Sequence, residues 1–286
     1  KDAGKNYNAI MKTIEDSLKT CAFEIQNKKI SLEINFESEL IKTQNVIGYL
    51  PGSDPVLKNE CVVIGAHFDH VGIGKYGTMD TKYRGQIHNG ADDNASGTVG
   101  VIELAEAFSK NPPKRSLLFI GFTAEDVGIF GSRYYAYLQP VIPLEKTIAM
   151  LNLDMISRNS TEYVYIGGAF YSTDLMKMVE RANKLVGFEL LYNIGLLNKA
   201  SDQAPFLRKE IPAAFFFAGD HEDYHTPNDD VNKINPDKLE KTTKLAYLSG
   251  WVVANENTKP TFNELSIEQR AVIVKESSER SKKFKN

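Results

Sequence analysis

The sequence predicts an α/β domain with a mostly parallel, doubly wound central sheet that is flanked by helices. Three observations support this fold class. Four near-continuous apolar segments of strand length recur along the chain, as expected for strands buried on both faces of a sheet. Helical patterns separate these segments, and strand–helix alternation is typical of parallel sheets covered by helices. The 286 residues are enough for one domain with a substantial core.

The N-terminal region has a different pattern from the rest of the chain. Residues 5–20 place apolar side chains on one stripe and predict an amphipathic helix. Residues 29–36 and 45–50 alternate apolar and polar side chains, which is typical of half-buried antiparallel strands. We therefore expect residues 1–40 to form an N-terminal helix and strand within the same domain as the sheet.

The four apolar segments predict the buried strands of the sheet, and the periodic segments between them predict its helices. The strands are predicted at 61–68, 116–124, 147–155 and 211–219, and the helices at 95–110, 131–138, 172–186 and 236–254. The charged tail from Ser266 has a helical composition, so we expect residues 260–286 to form a peripheral helical tail. No internal repeat or low-complexity linker is evident, and a single domain over residues 1–286 is the simplest organisation.

The composition excludes several classes of function. The formal net charge is −3, whereas nucleic-acid-binding proteins usually carry a basic excess or stripe. No apolar run is long enough to cross a bilayer, so the sequence predicts no membrane span. Cys21 and Cys61 permit at most one disulfide, which leaves the cellular compartment open. The chain begins with Lys1 rather than Met, and we interpret it as a processed or excised form.

Potentially reactive side chains follow each of the four buried strands. In open α/β sheets, ligands bind beyond the carboxyl ends of the strands. A Gly-rich segment, residues 89–97, also opens the helix after the first of these strands. Imidazole nitrogens and carboxylate oxygens together suit zinc, and a pair of zinc ions needs about this many ligands. The residues that follow the strands are His67 and Asp69, Glu125 and Asp126, Asp154, and the run from Asp220 to His225.

Each of these residues also has a structural explanation when it is taken alone. An Asp after a strand usually caps a helix or forms a turn. Asp93 and Asn94 have such an explanation, as caps of the helix that begins near Ser96. His70 and His88 lie in a Gly- and Tyr-rich loop, and we interpret them as residues at the edge of the site rather than as ligands. The zinc hypothesis therefore depends on the fact that all of these residues occur together at the ends of the predicted strands.

Residues 221–225 match the H-E-x-x-H signature of single-zinc metalloproteases, in which the Glu is the general base. The signature requires a helix, because residues i and i+4 share a face only there. Here the segment follows a strand and Gly219, and Pro227 disfavours helical geometry at Thr226. The segment also lacks an apolar stripe. We therefore predict a loop that contributes only His225 to a metal site.

Six segments of the sequence form a recognisable set: GAHFDHVG (65–72), NGADDNASG (89–97), FTAEDVGIFGS (122–132), LNLDMISR (151–158), SDQAPF (201–206) and DYHTPND (223–229). Taken together, they resemble the co-catalytic zinc exopeptidases, a family that includes bacterial leucine aminopeptidases, aminopeptidase Y and glutamate carboxypeptidase II. They occur in the family's order and spacing, and the similarity covers most of the chain. The resemblance implies a zinc-exopeptidase catalytic domain of phosphorylase/hydrolase-like architecture.

The resemblance implies a role for each matching metal ligand. His67 and Asp154 would bind one zinc ion, and Asp126 and His225 would bind the other. Asp92 would bridge the two ions, beside an unusual cis peptide bond to Asp93. The family usually has Glu where this chain has Asp126. Because the Asp side chain is one methylene shorter, the second metal would lie closer to the backbone or bind more weakly.

The resemblance also implies three roles that involve no bond to the metal. Asp69 would orient His67, as partners of metal-bound histidines normally do. Glu125 would be the general base that takes a proton from the water between the two zinc ions and passes it to the leaving amine. Tyr224 would help to polarise the scissile carbonyl group.

Two alternative functions are compatible with the same fold. A glutaminyl cyclase-like acyltransferase would use one zinc ion and would need only Asp92, Asp126 and His225. A non-catalytic binding module would lack the ligand set. Since His67 and Asp154 are both present, the two-zinc hydrolase is favoured. No pair of arginines is evident that would bind a terminal carboxylate, which favours an aminopeptidase over a carboxypeptidase or dipeptidase.

The function predicted from the sequence is therefore a metallo-exopeptidase that removes the N-terminal residue of peptides with two Zn²⁺ ions per chain. Peptides are the expected partners, and nucleic acids are not. We expect the protein to be secreted or located in the periplasm or cell envelope, because the resemblance is to exported enzymes and the initiator Met is absent. The sequence leaves open the side-chain preference, the oligomeric state and the pairing of the two cysteines.

Overall fold

The computed structural model describes residues 6–284, apart from 18–19, 25–26, 28, 30, 37–40 and 196–198. The chain divides into two compact units, Lys1–Lys42 and Thr43–Asn286. A single domain over residues 1–286 stays a prediction.

The first unit contains the predicted N-terminal helix but not the predicted strand. Helix α1, Tyr7–Ser17, confirms the helix that was expected over residues 5–20. The strand expected over residues 29–36 is wrong, because Lys29 and Ser31–Phe36 have no regular secondary structure and are exposed. An alternating pattern forms a strand only where a neighbouring strand satisfies its backbone groups. These residues pair with no strand in the part of the chain that the structure describes.

The second unit is built on a seven-stranded sheet with the order β1-β3-β2-β4-β7-β5-β6. The pairings β3–β2, β2–β4, β4–β7 and β5–β6 are parallel, which confirms a mostly parallel sheet. Strand β1 pairs with β3 in antiparallel orientation, as expected for residues 45–50, and β5 pairs with β7 in the same way. The strands are β1 Val46–Leu50, β2 Cys61–His67, β3 Ser116–Phe122, β4 Thr147–Leu153, β5 Tyr163–Gly167, β6 Glu189–Leu191 and β7 Ala213–Phe217.

The described residues of this unit form six α-helices, and the sequence predicts five of them. Several helices begin after a residue whose side chain accepts a hydrogen bond from an N–H group of the first turn. Ser172 accepts a hydrogen bond from the Leu175 N–H, and Asn235 accepts one from the Lys238 N–H. The tail helix begins after Ser266, which exchanges hydrogen bonds with Gln269. The helices are α2 Gly97–Lys110, α3 Phe130–Tyr137, α4 Thr173–Asn183, α5 Gln203–Arg208, α6 Pro236–Asn255 and α7 Ile267–Ser281.

Helices cover both faces of the sheet, which confirms the doubly wound architecture. Gly250 in α6 lies against Ile64 of β2 and Phe108 of α2. The next residue of β2, Gly65, lies against Phe122, whose ring contacts Phe206 of α5. Because successive residues of a strand point to opposite faces, α2 and α6 cover one face and α5 covers the other. None of the described helices is long and apolar enough to cross a membrane.

Candidate metal centre

The carboxyl ends of four neighbouring strands deliver the predicted site residues to one edge of the sheet. His67 is the last residue of β2, and Asp154 follows directly after β4. Glu125 follows β3 after a turn in which Ala124 adopts a left-handed φ of 55°. Because β3, β2, β4 and β7 are parallel neighbours, their carboxyl ends meet at the same edge. The predicted site residues therefore lie at the edge where α/β sheets usually bind ligands.

The first group of possible metal ligands consists of His67, Asp93 and Asp154. Nε2 of His67 lies 3.1 Å from Oδ1 of Asp93 and 3.3 Å from Oδ1 of Asp154. The other oxygen of Asp154 accepts a hydrogen bond of 2.7 Å from Ser201 Oγ. All three side chains of the group are buried, so little solvent reaches the space between them.

The second group consists of His70, Asp93, Asp126 and His225. Nε2 of His225 lies 3.0 Å from Oδ1 of Asp126 and 3.1 Å from Oδ2 of Asp93. Nδ1 of His70 lies 3.1 Å from Oδ2 of Asp126. The structure therefore places Asp126 and His225 together, as the resemblance implies, and adds His70 to them.

Asp93 is the carboxylate that both groups share. Its Oδ1 faces His67 and its Oδ2 faces His225. This Oδ2 is buried, and the two imidazoles that face it, those of His70 and His225, both belong to the second group. One carboxylate oxygen on each side is the arrangement expected of a bridging ligand.

The prediction that Asp92 bridges the two groups is wrong by one residue. Oδ1 of Asp92 instead accepts hydrogen bonds of 2.8 Å and 2.5 Å from the N–H and the hydroxyl of Ser157. The interpretation of Asp93 as a helix cap is also wrong, because its side chain faces the histidines. Asn94 does act as expected of a cap, since its side chain accepts a hydrogen bond of 2.9 Å from the Gly97 N–H at the start of α2. The cis peptide bond accordingly lies between Asp93 and Asn94.

Asp229 holds the backbone of this turn in place. Its Oδ2 accepts hydrogen bonds of 2.9 Å from the Asp92 N–H and 3.0 Å from the Asp93 N–H. Arg158 lies 3.5 Å from its other oxygen. Asn94 adds a bond of 2.9 Å to the Leu153 carbonyl, which ties the turn to the end of β4. Sequence reasoning did not identify Asp229, although it ends one of the matching segments.

Glu125 lies beside both groups. Its carboxylate and the ligand atoms of His67 and Asp126 lie within 4.8 Å of one another. Burial raises the pKa of Glu125, and although His67 opposes this, the negative charges of Asp154 and Asp202 add to it. The pKa therefore lies well above that of an ordinary Glu. A general base that works near neutral pH requires a shift in this direction.

Asp69 supports the site by a different contact from the one predicted. The main-chain oxygen of Asp69, rather than its carboxylate, lies 2.9 Å from Nδ1 of His67. The carboxylate accepts hydrogen bonds from the Thr123 hydroxyl at 2.5 Å and from the Ala124 N–H at 2.8 Å. The side chain of Asp69 thus fixes the turn that precedes Glu125.

Asp69→Asn is expected to lower kcat by about 10-fold or more while the metal content is retained, the range that supporting contacts of metal sites usually show. The amide keeps the shape of the side chain but replaces one acceptor oxygen with a donor, so the Thr123–Ala124 turn loses a bond. Steady-state kinetics with elemental analysis checks this. Asp237→Asn, at an exposed residue in the first turn of α6, is the control. Unchanged kcat in the Asp69 variant would show that the turn does not position Glu125.

The H-E-x-x-H segment forms turns rather than a helix, which confirms the predicted loop. His225 points into the second group, whereas Glu222 is exposed. Nε2 of His221 lies 3.2 Å from Oδ2 of Asp92, outside both groups. The single-zinc signature is therefore not assembled in this structure.

Tyr224 and His88 surround the second group. The ring of Tyr224 stacks on His225 with 3.8 Å between centroids. Burial raises the pKa of Tyr224, and the nearby acids raise it further, so the phenol remains a hydrogen-bond donor. Its predicted contact with a carbonyl group stays a prediction. His88 uses both nitrogens within its loop, on Thr78 and Gln86, as an edge residue is expected to do.

The donor atoms of the two groups suit divalent zinc. Burial lowers the pKa of His225, but Asp126 and Asp93 raise it to about 10. The centre therefore favours a positive charge between its donors. His67 and His225 each place Nδ1 on a main-chain carbonyl, which leaves Nε2 for a metal, as is usual for zinc-binding histidines. Mixed imidazole and carboxylate donors are typical zinc ligands.

The fold and this centre define an α/β protein with a two-part imidazole and carboxylate site at the carboxyl edge of its sheet. The family model described as "Peptidase family M28" matches residues 45–249, which is most of the second unit. The chain therefore belongs to peptidase family M28.

Individual relatives agree with this assignment. The chain is 26% identical over 227 residues to aminopeptidase YwaD of Bacillus subtilis, covering 76% of this chain and 46% of that protein. It is 25% identical over 275 residues to leucine aminopeptidase 2 of Arthroderma otae, covering 85% and 52%. The solved structure of a zinc aminopeptidase from Bacillus subtilis superposes with a TM-score of 0.62 at 24% identity, covering 74% of this chain and 50% of that one. The chain thus spans about half the length of the curated relatives it matches.

Proposed function

We propose that this protein is an aminopeptidase that removes the N-terminal residue of peptides with two zinc ions per chain. The observation that carries the proposal is the carboxylate of Asp93, whose two oxygens face two separate groups of ligands. Family membership and the names of the relatives support the same activity. The glutaminyl cyclase-like alternative needs only the second group, so the assembled first group argues against it.

The residues that would hold the metals follow from the two groups. His67 and Asp154 would bind one zinc ion, Asp126 and His225 would bind the other, and Asp93 would bind both. When bound, zinc lowers the pKa of water and polarises a carbonyl oxygen, which makes a peptide bond open to hydrolysis.

Glu125 would transfer the proton in this reaction. Its carboxylate would accept a proton from the attacking water and donate it to the nitrogen of the departing peptide. Because burial and neighbouring acids raise the pKa of Glu125, the protonated form that makes the second transfer is accessible near neutral pH.

The charge around the centre favours a free amino terminus of the substrate. The negative charges of Asp154 and Asp202 act on the site of Glu125, and a negative field of this kind attracts an ammonium group. A carboxypeptidase needs a cation for the terminal carboxylate instead. Arg158 does not offer one, because it forms ion pairs with Asp223 at 2.8 Å and Asp229 at 3.5 Å.

A cleft near Tyr224 would receive the side chain of the terminal residue. Its volume is about 310 Å³, and it is lined by aromatic, aliphatic and polar groups that include Tyr165, Ile194, Phe217 and Asp220. Tyr224 packs against the same apolar cluster as Tyr165. The mixed lining indicates that the cleft accepts more than one type of side chain.

A panel of chromogenic aminoacyl substrates tests the proposal. We expect hydrolysis of substrates with a free α-amine, no hydrolysis of their N-acetylated forms, loss of activity with a chelator and recovery with zinc. Elemental analysis is expected to find two zinc ions per chain. A single tightly bound ion, together with cyclisation of N-terminal glutamine, would instead establish the acyltransferase.

We also propose that the protein is exported. The support is the resemblance to exported zinc exopeptidases. Fractionation of cells that express the full-length gene product tests this, with the protein expected in the medium, periplasm or cell envelope. A protein found only in the cytoplasm would contradict it.

A further inference from the structure

His70 lies inside the second ligand group rather than at its edge. Its Nδ1 lies 3.1 Å from Oδ2 of Asp126 and 3.8 Å from Oδ2 of Asp93. Its ring meets the ring of His225 edge-on, with 5.3 Å between centroids. The side chain is only 8% exposed, so it is shielded from solvent to nearly the same degree as the acids that it faces.

We propose that His70 is a ligand of the metal held by Asp126 and His225, which gives that metal four protein donors. This inference rests on the proposed function, since it assumes that the centre binds metal. The four donor atoms, one each from His70, Asp93, Asp126 and His225, all lie within 4.8 Å of one another. Zinc bond lengths of about 2.0–2.2 Å place neighbouring donors of a tetrahedral site roughly 3.3 Å apart. Nδ1 of His70 lies 3.1 Å from Oδ2 of Asp126 and 3.8 Å from Oδ2 of Asp93. Nε2 of His225 lies 3.0 Å from the other oxygen of Asp126 and 3.1 Å from Oδ2 of Asp93, so the separations are close to that value.

The contacts of His70 differ from those of a histidine that serves only its loop. His88, in the same loop, bonds through one nitrogen to Thr78 and through the other to Gln86. Nε2 of His70 is buried and finds no hydrogen-bond partner among the described residues. The polar contacts that the structure gives to His70 are with Asp126 and Asp93, and both belong to the ligand group. Its environment is therefore arranged for the centre rather than for the loop.

The absence of a side chain at Gly90 leaves room for the His70 ring. Gly90 has a left-handed φ of 61°, and a Cβ atom at this residue would lie 2.8 Å from Cγ of His70 and still closer to the carbonyl oxygen of Asp93. A side chain here would therefore clash with the ring and with the turn that carries Asp93. The Gly-rich segment before α2 thus supplies Asp93 and also leaves room for His70.

A fourth protein donor would make the two metal positions unequal. The group of His67, Asp93 and Asp154 offers three protein donors, and a zinc ion with three protein ligands keeps an open position for water or substrate. The group that contains His70 offers four, as closed sites do. The metal at His70 is therefore the one bound more tightly, and the metal at His67 is the one that exchanges and meets the substrate.

Metal binding to the apoprotein tests the inference with readouts that do not depend on activity. The experiment compares wild type, His70→Ala and the control His88→Ala by chelator competition with zinc and by the visible spectrum of the cobalt(II) form. We expect His70→Ala to weaken the tighter of the two sites by at least ~10-fold and to change the cobalt spectrum. His88→Ala is expected to match wild type in both measurements.

The possible outcomes separate this inference from the proposed function. If wild type binds no metal, the proposed function fails. If wild type binds two ions and His70→Ala keeps the affinity and spectrum of both, only the assignment of His70 is overturned. Weaker binding with an unchanged spectrum would also overturn it, because His70 would then act through Asp126. If His70→Ala does not fold, X-ray absorption of the zinc-loaded wild type decides the question, with three imidazoles expected for the two ions and two contradicting the inference.

Discussion

Glu125→Gln is expected to lower kcat by at least ~10²-fold while zinc content stays at the wild-type value. The amide keeps the size and shape of the side chain but cannot accept a proton, and loss of a positioned general base usually has an effect of this size. Glu125 belongs to neither of the two ligand groups that share Asp93, so the metals should remain bound. Steady-state kinetics with elemental analysis of the same preparation checks both statements.

Glu222→Gln is the matched control, because Glu222 is the residue that the H-E-x-x-H signature would make the base. Glu222 is exposed on a turn, so its substitution should change kcat only a few-fold. An inactive Glu222→Gln enzyme beside an active Glu125→Gln enzyme would falsify the proposed mechanism. That pattern would restore a single-zinc protease.

Asp93→Ala is expected to release both metals, and Asp92→Asn is expected to retain them. Asp93 contributes one oxygen to each ligand group, so its removal takes a donor from both. The affinity for zinc should fall by more than the roughly 10–100-fold that is usual for supporting residues. Elemental analysis after dialysis measures the loss, and circular dichroism confirms that the variant is folded.

The control depends on where the Asp92 side chain lies. Its Oδ1 is bound to Ser157, and an Asn at this position retains an oxygen that can accept these bonds. If Asp92→Asn lost both metals and Asp93→Ala kept them, the bridging ligand would be Asp92, as the resemblance alone implied. The comparison therefore tests the correction made by the structure rather than the existence of the centre.

The arrangement of the sheet could largely be predicted from the sequence. Strands buried on both faces must be apolar along their whole length, and this signal is visible without any partner. The predicted strands continue one or two residues past the observed carboxyl ends, because the first residues of the site loops are also apolar or small. Strands β5 and β6 and helix α5 are short and were not predicted. The strand expected at 29–36 was predicted but does not form. An alternating pattern is not sufficient when no neighbouring strand pairs with it.

The types of residue in the centre, and the strands that bring them together, were determined by the sequence alone. His67, Glu125, Asp126, Asp154 and His225 all occur after buried strands, and parallel pairing requires those ends to meet.

Only the tertiary structure could show which of several neighbouring residues take part in the two ligand groups. Asp92 and Asp93 are chemically identical in the sequence, and their roles depend on the direction of one backbone turn. Asp229 holds the N–H groups of that turn, and Ser157 binds the side chain of Asp92, which leaves Asp93 for the histidines. His70 lies within the centre for a similar reason, because Gly90, 20 residues later in the chain, leaves space for its ring. Contacts between residues far apart in the chain have no local signal in the sequence, so the side chains that complete the two ligand groups became known only from the fold.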